Sequence, residues 1–214
     1  MQKLFNITNE TNNIVKIELV NGKKHNPLSL ELIKELTNSL IQISSQKKVK
    51  VLIISSEGPG FSAGHDLDEL RKNRNNKKFF NELFNECSNL MQTIMSLPQP
   101  VIAEVCGIAA AAGCQLVASC DLAVASEHAS FMTPGVNIGL FCSTPMVAVS
   151  RNLSRKKIME MLLTGEKLSA KDAVDYGLIN HCVPQDQLHL KTLSIANIIA
   201  CLLYTSPSPR DVSS

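Results

Sequence analysis

Two short segments built from small residues limit what this chain can fold into. Phe61-Ser62-Ala63-Gly64-His65-Asp66-Leu67 follows an apolar run and the Gly-rich turn Glu57-Gly58-Pro59-Gly60, and leads into Asp68-Glu69-Leu70. Gly107-Ile108-Ala109-Ala110-Ala111-Ala112-Gly113-Cys114-Gln115-Leu116 repeats that order of apolar run, small residues and helical pattern. Small residues at the mouth of a helix expose backbone N–H groups and let a ligand approach the main chain. Two such helix starts facing one another would aim two donors at one oxygen. Alone, an alanine run usually means close helix packing, and Ser-Ala-Gly usually means a turn. Only their order and spacing together are informative.

The rest of the pattern predicts alternating strands and helices. Strands are expected over 14–20, 49–55, 101–105, 122–125 and 178–183, where apolar residues run nearly unbroken. Leu32, Ile33, Leu36, Leu40 and Ile43 recur at helical spacing behind Ser29, a candidate N-cap. Phe80, Leu83, Phe84, Cys87, Leu90, Met91 and Ile94 mark a second amphipathic helix over 78–96, stopped by Pro98 and Pro100. Helices are also expected over 144–152, 154–163, 169–176 and 188–200, with Ser154 and Ser169 as caps and Gly165 and Gly177 as stops. Such alternation makes the fold class α/β.

Composition excludes several functions. The 214 residues are 44% hydrophobic and 19% charged, which suits a packed domain rather than a disordered chain. Net charge is +2, the basic clusters are interrupted, and there is no Trp and only two Tyr, so the chain lacks the basic, aromatic-lined surface of a nucleic-acid binder. Seven cysteines form no CxxC pair, which speaks against a zinc site and for reduced thiols packed as small hydrophobes. No run of about 20 apolar residues could span a bilayer. Residues 1–10 carry one Lys, no Arg and one Glu, unlike a secretory signal or a transit peptide. Neither a metal nor a resident cofactor is expected.

The two small-residue segments also carry a resemblance. Phe61-Ser62-Ala63-Gly64-His65-Asp66-Leu67 resembles the F-S-A-G-x-D-L signature of the crotonase (enoyl-CoA hydratase/isomerase) superfamily. Pro100-Val101-Ile102-Ala103-Glu104-Val105-Cys106-Gly107 resembles its P-V-I-A-x-V-x-G strand. Gly113-Cys114-Gln115-Leu116 with Cys120-Asp121 resembles G-G-G-x-E-L…C-D, with Gln in place of Glu. Residues 161–165, 170–173 and 177–179 continue the match, so the similarity runs over about residues 14–200.

The resemblance implies a spiral of ββα units that binds coenzyme A thioesters, with two backbone N–H groups polarising the thioester carbonyl. By motif position those donors are expected at Ala63 and Ala112. Ala63, Gly64, His65 and Asp66 are expected to line the acyl-CoA, with Lys24 and His25 near its phosphates. The family's two catalytic glutamates fall at Gln115 and Gly135, neither of which can exchange a proton. The thioester cradle is thus expected without its usual acid and base, and hydratase activity is expected to be weak or altered. Restoring both carboxylates, Gln115→Glu with Gly135→Glu, would then test the cradle. His65 is the candidate replacement base, although a loop histidine more often only hydrogen-bonds the backbone. A non-catalytic acyl-CoA sensor or regulatory subunit is the alternative.

The wider combination of motifs resembles a mitochondrial branch of the family tied to fatty acid metabolism. It implies a homotrimer or hexamer at full length, assembled through C-terminal helices. Residues 1–200 are read as the acyl-CoA-binding domain with that helical region truncated. Residues 201–214 break the helical pattern at Ser206-Pro207-Ser208-Pro209 and are read as a non-native tail.

Overall fold

A computed structural model of the chain describes residues 3–202. The chain opens with a hairpin, β1 (Phe5–Glu10) and β2 (Ile14–Leu19), followed by helix α1 (Leu30–Ser44). Then β3 (Val51–Ser56), the short β4 (Gly60–Ser62), α2 (Leu67–Lys72) and α3 (Lys77–Ser96) make one unit. A second unit repeats it as β5 (Val101–Val105), β6 (Ile108–Ala110) and α4 (Ala112–Ser119). A third opens with β7 (Leu122–Ser126) and β8 (Ser130–Met132), before α5 (Ser143–Val149) and α6 (Arg155–Thr164). The described chain ends with β9 (Leu168–Ser169), α7 (Ala170–Asp175), β10 (His181–Val183) and α8 (Leu188–Leu202).

Each unit sends its long strand to one sheet and its short strand to another. The main sheet has the order β1-β2-β3-β5-β7-β10, parallel throughout except at the β1–β2 hairpin. The second sheet has the order β4-β6-β8-β9, parallel up to β8. The register of β4 on β6 brings the segment after Ser62 beside the segment after Ala110, so both small-residue loops leave the same sheet side by side.

The continuous apolar strands are buried on both faces, as parallel sheets require. On β3, Leu52 and Ile54 join the main core beneath α1, α3 and α4, while Val51 and Ile53 face α8 with Ile14, Ile102 and Val124. Buried Glu104 of β5 pairs with His189 of α8 at 2.9 Å, a polar tie across that second layer. Ser29 caps α1 through its side chain, which accepts from Leu32 N–H at 3.2 Å, and Asn76 caps α3 in the same way. Leu36 lies fully buried between these layers. Leu36→Ala should therefore cost about 2–5 kcal/mol in a urea unfolding experiment, the range for a large-to-small change in a packed core.

Four features bear on the sequence reading. β1 is a half-exposed edge strand of mostly polar sequence that exists because β2 pairs with it. Ser154 sits at the N-cap of α6 but makes no capping hydrogen bond. Cys201 and Leu202, the first two residues of the tail read from the sequence, lie at the end of α8, and its residues 203–214 lie outside the described residues. Cysteine burial is uneven: burial pushes the Cys87 thiol up to about 11 and Cys114 up to about 12, whereas Cys201 is exposed. Among the described residues, no helix is long and apolar enough to cross a membrane, and no cluster of His, Cys, Asp or Glu is arranged to hold a metal.

Candidate functional site

The first loop is built around Asn26, which is fully buried. Its Nδ2 donates to the carbonyls of Glu57 (3.0 Å) and Gly60 (2.8 Å), and its Oδ1 accepts from Asn21 N–H (2.8 Å). Ser62 Oγ donates to the Asn26 carbonyl at 2.9 Å and accepts from Gly64 N–H. Asn26→Ala strands several of these buried groups at once and should lower stability by roughly 2–4 kcal/mol. Thermal melts of the two proteins measure it.

Residues 25–28 run alongside the loop. Ala63 N–H donates to the His25 carbonyl at 2.8 Å, and Leu28 N–H donates to the Gly64 carbonyl at 2.8 Å. This corrects the expectation for Ala63, because an amide already held by a carbonyl is not free for a ligand. Two residues on, His65 N–H has no acceptor among the described residues. The motif alone could not show which amide of this loop the neighbouring segment uses.

The second loop presents Ala112. Its predecessor Ala111 has φ 48° and ψ −118°, a region seldom occupied by a residue with a side chain, and its N–H is fixed on the Met132 carbonyl at 2.9 Å. That turn starts α4 at Ala112, whose amide has no acceptor within the helix. The two loops touch closely. A Cβ on Gly64 would lie 3.2 Å from the Ala112 nitrogen, and one on Gly113 would lie 2.4 Å from the Ser62 carbonyl oxygen. Small residues here are what allow two helix starts to meet.

Three buried polar atoms near these amides lack partners: His65 Nε2, Gln115 Oε1 and Thr133 Oγ1. Thr133, at the end of β8, was not singled out from the sequence, where nothing distinguishes it from a loop threonine. Gln115 lies one turn into α4 and is 5% exposed. The His65 ring rests edge-on against Phe84, with Nδ1 3.4 Å from the Leu28 carbonyl. A carbonyl only accepts, so Nδ1 carries the hydrogen and Nε2 holds a free lone pair.

Burial lowers the His65 pKa, and the Leu28 hydrogen bond only partly opposes this. The ring therefore resists protonation in the fold. Its contribution to stability is complete above the ordinary histidine value of about 6.5 and is lost as pH falls through the lower folded value. Urea unfolding at about pH 8 and about pH 5.5 should show a larger acid loss for the wild type than for His65→Gln.

The other residues named from the motifs make local contacts. One Asp66 oxygen accepts from Asp68 N–H and Glu69 N–H and caps α2. Lys24 lies 3.9 Å from exposed Asp68, and the His25 ring packs beside Gly60. Asp121 holds the start of β5 by accepting from Val101 N–H at 2.8 Å. Gly135 lies in a single 3-10 turn, Pro134–Ile138, where a Cβ would meet both Cys142 Sγ and the Leu140 carbonyl at 2.9 Å. The space beside Gly135 is thus filled by the following loop.

The chain, with its paired long and short strands feeding two sheets, matches a known family. Its sequence profile, described as enoyl-CoA hydratase/isomerase, covers residues 9–202. The chain belongs to the enoyl-CoA hydratase/isomerase family. It is 51% identical over 189 residues to the human enoyl-CoA hydratase domain-containing protein 3, mitochondrial, covering 88% of this chain and 62% of that protein. It is 48% identical over 195 residues to the mouse protein of the same name, covering 91% and 65%. The chain therefore spans less than two thirds of the length of these relatives. Among solved structures, an enoyl-CoA hydratase of Mycobacterium smegmatis superposes with a TM-score of 0.90 at 40% identity, covering 93% of this chain and 77% of that one. The human domain-containing protein 3 superposes at 0.89 with 48% identity, covering 93% and 78%. The crotonase-type α/β fold expected from the motifs is the fold of this family's solved members.

Proposed function

We propose that this chain binds an acyl-CoA thioester whose carbonyl oxygen accepts from His65 N–H and Ala112 N–H. The observation that carries this reading is the meeting of two unpaired amides on adjoining loops. Donors held in this way stabilise the negative charge that builds on a thioester oxygen, and losing one costs about 10²–10³ in rate in acyl-transfer sites. Gln115 and Gly135 then leave the carbonyl polarised without the family's two proton-transferring carboxylates. Ordinary hydration of an enoyl thioester is weak or replaced by other chemistry on the same cradle. A purely binding role, as an acyl-CoA sensor or regulatory subunit, is the second reading, favoured by the same two residues. The mitochondrial names of the relatives support a mitochondrial address and a place in fatty acid metabolism, and a homotrimer or hexamer is the assembly we assign to the full-length protein.

A ligand comparison tests the cradle without altering the protein. Butyryl-CoA and S-butyl-CoA differ in the carbonyl alone. Titration calorimetry should show butyryl-CoA binding about tenfold more tightly, the yield of two modest hydrogen bonds. Equal affinities would remove the carbonyl from the binding account.

A further inference from the structure

A cavity of about 170 Å³ lies between α3, α4 and α5, and Gln115 forms its inner end. Ala112 precedes Gln115 by three residues on α4, so the candidate carbonyl donor and the cavity share one helix face. The walls are apolar where the helices meet, with Met91 and Met95 from α3 and Val147 and Ala148 from α5. The outer end is cationic. Arg151, one turn beyond Ala148, lines the cavity and directs one guanidinium nitrogen at Met95 Sδ, 3.5 Å away. It also borders a second depression, which holds Arg155. Neither guanidinium has a carboxylate partner among the described residues. At the opposite end, the Gln115 carbonyl oxygen is buried and unpartnered. The cavity is therefore mostly apolar, with Ser88, Gln92, Ser119 and Thr144 adding hydroxyl and amide groups to its lining, and Arg151 gives it one positive charge.

Building on the acyl-CoA reading, we propose that the acyl chain passes Gln115 into this cavity and ends in a carboxylate held by Arg151, making the ligand a medium-chain dicarboxylic acyl-CoA. Size sets the chain length. An apolar protein cavity of about 150 Å³ holds a six-carbon ring, so this one suits an acyl group of roughly six carbons. Thr144, which also lines the cavity, and Arg151, two residues past the end of α5, are roughly 10 Å apart along the helix direction, a span that an extended six-carbon chain and the long Arg151 side chain bridge together. Charge sets the end group. Arg151 is exposed and has no carboxylate partner among the described residues, and a carboxylate matches its planar fork of donors where an alkyl terminus offers it nothing.

The test compares hexanoyl-CoA with hexanedioyl-CoA, in which a carboxylate replaces the terminal methyl, by titration calorimetry on the full chain. The wild type should bind hexanedioyl-CoA roughly tenfold more tightly. Arg151→Met should remove that preference while leaving hexanoyl-CoA affinity within about twofold, and Arg151→Lys should retain part of it. Equal binding of the two thioesters by the wild type overturns the proposal and leaves thioester binding intact, and so does a preference that survives Arg151→Met. The wild-type ratio decides even where a variant fails to fold. If neither thioester binds, the acyl-CoA reading fails and this proposal with it.

Discussion

Purified protein should hydrate crotonyl-CoA at least about a thousandfold more slowly than a hydratase carrying both carboxylates, because each positioned acid or base contributes roughly 10²–10⁴ in rate. Loss of the enoyl absorbance with time measures this directly. The Gln115 amide can accept and donate hydrogen bonds, but it exchanges no proton near neutral pH. Gln115→Glu should raise turnover tenfold or more, since it puts one titratable oxygen where a buried acceptor already sits. Adding Gly135→Glu should give nothing further. A Cβ there would sit 2.9 Å from both Cys142 Sγ and the Leu140 carbonyl oxygen, and Leu140 N–H is itself bonded to the Gly135 carbonyl at 2.9 Å. The loop would have to open before a carboxylate could reach the site, so restoring both glutamates is not a fair test of the cradle. Turnover by the unaltered protein at an ordinary hydratase rate would show that another group, with His65 Nε2 the first to examine, supplies the proton transfer.

Gly113→Val should be the most damaging single change in the site. A Cβ at that position would lie 2.4 Å from the Ser62 carbonyl oxygen and 2.8 Å from Ser62 Cβ; Ser62 is held in β4 against β6 and Gly113 in α4, so neither backbone can retreat freely. Overpacking of this kind costs about 3 kcal/mol. In a chain of this size that corresponds to a melting-temperature loss of roughly 6–12 °C. Because the clash separates the loops that carry His65 and Ala112, butyryl-CoA binding should fall as well. Gly139, where nothing lies within 4 Å of an added Cβ, is the control position. Gly139 has φ 74°, so Gly139→Asn, which tolerates that region, should leave both melting and binding nearly unchanged. A Gly113→Val protein that melts like the wild type and still binds butyryl-CoA would refute the close-approach account.

Local signals survive in a sequence when their cause is local. The helical spacing behind Ser29, the unbroken apolar runs and the left-handed stops at Gly165 and Gly177 all reflect contacts within a few residues, and each was legible. The short strands β4, β6, β8 and β9 were not. Two or three residues carry no period, and their partners lie far along the chain. The same distinction separates Ala63 from His65. Both sit in one motif, and only the distant carbonyl of His25 decides that Ala63 is occupied and His65 free.

By itself, then, the sequence determined that two small-residue segments would precede helical patterns, and that positions 115 and 135 carry Gln and Gly rather than a carboxylate. Residue identity is a covalent fact and needs no fold. Only the tertiary structure decided which loop amides stay unpaired among the described residues, that Gly135 has no room for a side chain, and that Gln115 and Arg151 line one cavity. Those properties belong to pairs of segments far apart in the chain, and such pairs exist only once the two sheets have brought them together.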